Sequence, residues 1–170
     1  MKGRNKMSYA IIFSSQTGNT KLLAETVRDT LPKEDCVYFG PVTEEVPEAD
    51  TIYLGFWTDR GSADSKAAAF AEKLSGKKVY LFGTAGFGGS EAYFEKILKS
   101  TEEKLPSDAE VIGKFMCVGK MPMSVRDRYV KLEQEGKMPN AKMMIENFDK
   151  ALSHPDAKDL ENLRDNISSH

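Results

Sequence analysis

The sequence predicts an α/β domain in which a parallel β-sheet is covered by helices on both faces. Three observations carry that prediction. Short apolar runs alternate with stretches whose apolar residues recur at helical spacing. The run from Asp50 to Phe56 is nearly continuous in apolar residues, as in a strand buried on both sides. Finally, Ile11-Ile12-Phe13 passes through a small polar loop straight into a helical pattern at Lys21-Leu22-Leu23. Joints of that kind aim free N–H groups and the positive end of a helix dipole at one spot.

In chain order, residues 9–14 read as the first strand and 18–31 as the first helix, stopped by Pro32. Its inner face is Leu22, Leu23, Thr26, Val27 and Thr30. Cys36 to Phe39 is a short second strand, broken by Gly40-Pro41 and followed by an acidic loop. The third strand is 50–56. Ala63 to Leu74 is helical and ends at Gly76; Lys78 to Phe82 is the fourth strand. Glu91 to Leu105 is the next helix, closed by Pro106, and Ala109 to Val118 is the fifth strand. Beyond it, Met123, Val125, Tyr129 and Leu132 recur at rough helical spacing within an insertion, 119–138. A stripe of Ala141, Met144, Ile145, Phe148 and Leu152 marks the expected fifth packing helix. Asp156 reads as the N-cap of a C-terminal helical extension, 155–170, with Leu160, Leu163 and Ile167 on one face.

The 170 residues suit one domain over 8–170, burying roughly 70% of the unfolded surface, with 1–7 as a frayed tail and Met7 an alternative start. Cys36 and Cys117 sit in apolar runs and read as buried free thiols in a reducing, cytoplasmic setting. Neither belongs to a Cys-x-x-Cys pair, and no metal site is expected. A net charge of −2 gives no reason to expect nucleic acid. No apolar run approaches the length of about 18 residues needed to span a membrane, and no hydrophobic segment follows the basic N-terminus.

Residues 14–20, Ser-Ser-Gln-Thr-Gly-Asn-Thr, hold four hydroxyls, two amides, one glycine and no charge. Ser15, Thr17 and Thr20 are expected to donate hydrogen bonds to an anion, and Gly18 to let backbone approach it. Neutral donors suit an anchoring phosphate better than a transferred one. The string resembles the flavodoxin signature, whose constrained positions are filled here by Ile11, Ile12, Phe13, Ser15, Gly18, Thr20, Ala24 and Val27. That resemblance covers roughly residues 9–153. It implies a flavodoxin-like three-layer sandwich, a five-stranded sheet in order 2-1-3-4-5 and a site beside strands one and three. It also implies FMN, held by Ser15, Gln16, Thr17, Gly18, Asn19 and Thr20 at the phosphate end.

Two further loops would flank the flavin ring. The loop Gly55-Phe56-Trp57-Thr58-Asp59-Arg60-Gly61 holds the only tryptophan, and the resemblance makes Trp57 a stacking residue. Phe56, Thr58, Asp59 and Gly61 join it as cofactor contacts. The loop Gly83 to Ser90 carries four glycines in seven residues. Thr84, Ala85, Gly86, Phe87 and Gly88 are its contacts, with Phe87 in place of a more usual tyrosine or tryptophan. Many flavodoxins have Gly-Asp after the first aromatic, where this chain has Thr58-Asp59. A β-branched residue resists the positive φ that glycine adopts freely. The one-electron-reduced flavin is therefore expected to be less stabilised, and Asp59 to disfavour the fully reduced anion.

The Gly119-Lys120-Met121-Pro122 and Arg126-Asp127-Arg128-Tyr129 stretches resemble a subgroup of stand-alone flavodoxins of anaerobic bacteria. Some of these accompany flavin-dependent reductases of tetrapyrroles such as bilirubin. The function implied is a monomeric low-potential electron carrier between a reductase donor and an acceptor oxidoreductase, with no catalysis of its own. The competing reading is an NAD(P)H-dependent reductase of quinones or other small acceptors on the same fold. No Gly-x-Gly-x-x-Gly follows a strand to support it. A third is a non-redox phosphate-binding module. A phosphoacceptor receiver would need an acidic pair where Ser14-Ser15-Gln16 stands.

Overall fold

The computed structural model describes residues 8–86 and 91–169. Strands β1 (Tyr9–Phe13), β2 (Cys36–Pro41), β3 (Thr51–Asp59), β5 (Lys78–Ala85) and β6 (Glu110–Val118) form a parallel sheet in order β2-β1-β3-β5-β6. A two-residue strand, β4 (Ser62–Ala63), pairs antiparallel with β3 outside this path. Without β4, the order is the expected 2-1-3-4-5. Helices are α1 (Asn19–Thr30), α2 (Ser65–Ala71), α3 (Glu91–Glu102), α4 (Met123–Gln134), α5 (Ala141–Ala151) and α6 (Ala157–Ser168).

Period-two alternation assigns the two cores. On one face Ala10, Ile12, Ile52, Leu54, Phe56, Val79 and Leu81 meet Ala67, Phe70, Leu74, Ile97 and Leu98 around α2 and α3. On the other, Tyr9, Ile11, Phe13, Tyr53, Tyr80 and Phe82 meet Leu23, Ala24 and Val27 of α1. Leu163 and Ile167 of α6 complete that second core. The helix that packs on the sheet beside α1 is thus α6, whereas the stripe at 141–152 was expected to mark the fifth packing helix. The stripe of α5 is real, with Phe148, Ala141 and Ala151 buried, but α5 packs on α4. Apolar periodicity announces a buried face without naming its partner.

Three boundaries move for stated reasons. β2 runs on through Gly40 to Pro41, because a sheet-edge strand tolerates a residue without an N–H. β5 continues through Gly83, Thr84 and Ala85, paired with Met116, Cys117 and Val118. β3 continues through Trp57 to Asp59 and turns back into β4. Arg60 (φ 54°) and Gly61 (φ 84°) make a two-residue hairpin turn with both central residues left-handed, the geometry that matches strand twist.

Cys117 is buried, and that burial pushes its thiol well up from the ordinary value. Cys36 is only half-buried, a correction that follows from its place on edge strand β2. The two cysteines stand on opposite edges, four strand spacings or roughly 19 Å across the sheet and at opposite ends of their strands, too far for a disulfide.

The inserted pair α4–α5 is tied by Arg126, whose Nε and Nη2 donate to Asp149 at 2.8 and 3.2 Å. That contact raises the guanidinium and holds the Asp149 carboxyl below its usual range. Two outcomes are expected. Leu163→Ala should cost about 2–5 kcal/mol in chemical denaturation, because α6 closes the sheet and is no dispensable tail. Separately, Asp149 has a lowered folded pKa. Its contribution is therefore present above the ordinary carboxylate range and lost as pH falls through the folded value. The protection factors of α4 amides, corrected for the intrinsic exchange rate at each pH, should fall on acidification, and Arg126→Gln should flatten that response.

Candidate functional site

The carboxyl ends of β1, β3, β5 and β6 meet at one edge, and the local chemistry there follows from four segments. The first is the loop after β1. Ser14 N–H donates to the Gly55 carbonyl at 3.0 Å, fixing where the loop leaves the sheet. Gly18 has φ 90°, and its carbonyl takes the first helical bond, from Leu22 N–H at 3.0 Å. The N-cap residue Gly18 has no side chain to offer, so the side-chain cap of the first turn comes from Ser15. Lys21 N–H donates to Ser15 Oγ at 3.3 Å.

The hydroxyls divide differently from expectation. Thr20 is 1% exposed, and its Oγ1 donates to the Phe56 carbonyl at 3.1 Å. A hydroxyl has one proton, so Thr20 positions the helix and does not donate to a ligand. Thr17 Oγ1 and Asn19 Nδ2 both donate to the Lys120 carbonyl, at 3.3 and 2.7 Å. The Ser15 hydroxyl accepts from backbone and keeps its own proton available.

The second segment is the β3–β4 hairpin. Trp57 is half-buried, and its backbone is held from both sides by Asp64. Trp57 N–H donates to Asp64 Oδ1 at 3.1 Å, and Asp64 N–H to the Trp57 carbonyl at 2.9 Å. The second carboxylate oxygen caps α2 through Ala67 N–H at 3.2 Å. Thr58 lies in the strand, its hydroxyl donating to the Thr84 carbonyl at 2.8 Å. Thr58 itself has no positive φ; in this hairpin Arg60 and Gly61 do.

The third and fourth segments are Thr84–Gly86 and Gly119–Pro122. Met121 lies flat on Gly86: a Cβ there would be 2.4 Å from Met121 Cγ. A Cβ at Gly119 would be 2.5 Å from Asn19 Nδ2. Between these segments lies a cleft of about 40 Å³, walled by Trp57, Thr58, Thr84, Gly86 and Met121. Gln16, Thr17, Asn19 and Lys120 also line it.

The structure therefore brings Gln16, Thr17, Asn19, Trp57, Thr58, Thr84 and Gly86 together. Phe56 and Ala85, also expected as contacts, are buried in the core at 0% and 2% exposure. Their inward side of the strand alternation explains it. Asp59 and Gly61 flank the tip of the hairpin. Phe87 and Gly88 lie outside the described residues, as does the tail 1–7.

Residues 10–168 match the family model of the flavodoxin domain. The chain belongs to the flavodoxin family. Among curated proteins it is similar to the flavodoxin-like domain-containing protein BilS of Clostridium symbiosum (strain WAL-14163). Identity is 40% over 173 residues, covering 91% of this chain and 90% of that protein. The BilS protein of Clostridioides difficile (strain CD3) is 30% identical over 164 residues, with the same coverages of 91% and 90%. The solved structure of oxidised Flavodoxin 2 from Bacillus cereus shares the fold at TM-score 0.59, with 21% identity over 93% of each chain. A flavoprotein from Lactobacillus acidophilus NCFM, solved in complex with FMN, aligns at TM-score 0.52 and 14% identity over 65% of this chain and 93% of that one.

The donor set fits a flavin nucleotide at its phosphate end: the start of a helix, a glycine at the turn and the Ser15 hydroxyl, whose proton is not committed to a bond in the described structure. Trp57 and Gly86 both line the cleft, and Met121, which covers the Cα of Gly86, narrows it. An unbranched thioether side chain is a wall that moves readily.

Four residues of this flavodoxin edge escaped sequence reasoning: Asp64, Gly119, Lys120 and Met121. Asp64 had a signal, an N-cap residue immediately before the Ala-rich helix, masked by starting that helix at Ala63. Lys120 acts through its carbonyl, which no side-chain pattern records. His154, Asp156 and Asp159 also gather within 4.8 Å of one another. The two aspartates there form the capping box of α6, with His154 Nδ1 at 2.6 Å from Asp159.

Gly55→Ala tests how the site is seated. The added methyl would lie 2.4 Å from the Phe82 ring and 2.9 Å from Thr20 Cγ2. We expect a loss of about 1–3 kcal/mol in denaturation, with weaker cofactor retention, because α1 must move off β3.

Proposed function

We propose that this flavodoxin-family chain binds FMN and carries electrons between redox proteins. One observation supports a carrier over an enzyme. The described lining of the cleft contains no His, Cys, Asp or Glu, and its one ionisable side chain is the exposed Lys120. General acid–base catalysis needs a titratable group within reach of the reacting atoms. FMN, when bound, supplies the electron chemistry. The chain's own residues anchor and orient: α1 and Ser15 hold the phosphate end, and Asp64 fixes the Trp57 backbone beside the ring position.

For the partner we propose an acceptor oxidoreductase of the tetrapyrrole-reductase kind, fed by a separate reductase. The resemblance carried by Gly119–Pro122 and Arg126–Tyr129 supports it. Among the described residues, no helix is long and apolar enough to cross a membrane.

Purified protein should show a flavin absorption spectrum, as isolated or after reconstitution with FMN. It should oxidise NADH or NADPH steadily only when a flavodoxin reductase is added. Colourless protein that takes up no FMN would overturn the cofactor assignment. Steady NAD(P)H oxidation without any partner would instead select the reductase reading.

A further inference from the structure

The stem of the α4–α5 pair puts a thioether into the wall of the Trp57 cleft. Met121 follows the Lys120 peptide and precedes Pro122, the N-cap of α4. It is half-buried and lines the cleft together with Trp57, Thr58 and Thr84. A Cβ built on Gly86 would meet Met121 Cγ at 2.4 Å, Sδ at 2.5 Å and Cε at 3.3 Å. The whole end of the side chain thus covers the glycine, and only a glycine leaves room for it.

Size decides what the walls must do. An apolar cavity of about 150 Å³ holds a single benzene ring. A cleft of about 40 Å³ admits no three-ring system while its walls stay fixed. The walls differ in what fixes them. The N–H and carbonyl of Trp57 are both bonded to Asp64, at 3.1 and 2.9 Å. Thr58 Oγ1 donates to the Thr84 carbonyl at 2.8 Å, and Thr84 is buried within β5. The Lys120 peptide is held at both ends: its N–H donates to the His154 carbonyl at 2.9 Å, and its carbonyl accepts from Asn19 Nδ2 at 2.7 Å. The Met121 side chain has three rotatable bonds and breaks no hydrogen bond when it turns off Gly86.

We infer that Met121 is a cofactor-contact residue: it leaves the Gly86 backbone to make room for the flavin ring and packs its thioether against that ring. The inference rests on the FMN reading above and adds a residue to it. The ring contacts expected from the sequence belong to the segments around the ends of β3 and β5, whereas Met121 comes from the insertion after β6. Sulfur–aromatic contact is favourable and undemanding in geometry, which suits a side chain that must first yield and then repack. The insertion thereby takes a direct part in holding the cofactor, through the residue next to its pinned peptide.

The test follows the methionine itself. The full chain, with its eight methionines labelled at the methyl carbon with carbon-13, is titrated with FMN, with riboflavin and with inorganic phosphate. Met121→Leu identifies the Met121 signal by its loss, and quenching of flavin fluorescence reports binding separately. The Met121 methyl should shift with both flavins, which share the ring, and not with inorganic phosphate. Met143, 52% exposed on α5, should stay in place. Flavin binding with an unmoved Met121 signal would overturn the inference and leave the FMN reading standing. No quenching of either flavin would overturn the FMN reading, and this inference with it.

Affinities supply a second arm. Met121→Ala should bind FMN and riboflavin about two- to tenfold more weakly, by equal factors, because it loses a ring contact and no phosphate contact. Met121→Leu keeps the apolar bulk and should lose less. A loss confined to FMN, or an alanine variant that binds both flavins as tightly as the wild type, would overturn the assignment.

Discussion

The first turn of α1 stands directly on β3, and the geometry of the whole edge depends on that contact. Gly55 has no side chain, so Thr20 reaches the strand, its methyl over the glycine and its hydroxyl on the Phe56 carbonyl. Parallel strands expose their carbonyls and N–H groups to neighbours in the sheet, so a helix must find a place where backbone is reachable. Here that place is where bulk alternates across two strands. Gly55 faces Phe82, and Phe56 faces Gly83, so each ring lies on the bare Cα of its partner. One exchange fills the sheet's opposite faces with aromatic rings and leaves room for the helix. With Thr20 seated, α1 starts at the end of β1, and its Lys21 N–H is met by Ser15 Oγ.

The insertion after β6 extends the same logic. Its two ends are joined at the base, Lys120 N–H donating to the His154 carbonyl at 2.9 Å. The Lys120 carbonyl in turn receives Thr17 and Asn19. The helical pair α4–α5 therefore springs from a stem bonded to the phosphate loop, so motion of the pair and of the loop share one peptide unit. Gly119 permits that approach because Asn19 occupies the space its side chain would take. The insertion is consequently coupled to the site mechanically, through two hydrogen bonds, whatever its outer surface contacts.

Much of this was legible in the sequence, and the failures have a common form. Strands buried on both faces and amphipathic helices were readable because burial imposes a period, as in Ile11, Ile12 and Phe13 against Leu23 and Val27. The loop 14–20 was readable as a joint between strand and helix, because Gly18 and the small polar residues around it mark the turn into α1. What could not be read was the destination of each donor. Thr17, Thr20 and Asn19 were rightly seen as donors, and each bonds a backbone carbonyl distant in sequence. The pairing of α6 with α1, and of α5 with α4, failed likewise: both stripes were visible, and nothing local distinguishes a sheet from a neighbouring helix as the covering surface. Trp57 shows the third kind of gap. Glycine, threonine and aspartate around it looked like a loop, yet Thr58 and Ala63 pair, and the turn residues are Arg60 and Gly61.

That hairpin changes how Trp57 should be regarded. An indole on an open loop is placed by whatever it touches, and its position shifts with the ligand. Here the backbone on both sides of Trp57 is held within the fold: by the ladder to Thr84, by Thr58 bonding the Thr84 carbonyl, and by Asp64, whose Oδ1 accepts from Trp57 N–H and whose N–H donates to the Trp57 carbonyl. Asp64 is 2% exposed, and a buried carboxylate is tolerated only where its acceptors are met. It meets them by clamping the strand end to the start of α2. The opposite wall has no such bracing, since Met121 rests on Gly86 through van der Waals contact alone. The cleft thus has one braced aromatic wall and one soft thioether wall, and under the FMN reading proposed above the methionine is the wall that would yield to a planar ring. Orientation is then set by the tryptophan side, where the ordering cost was met on folding.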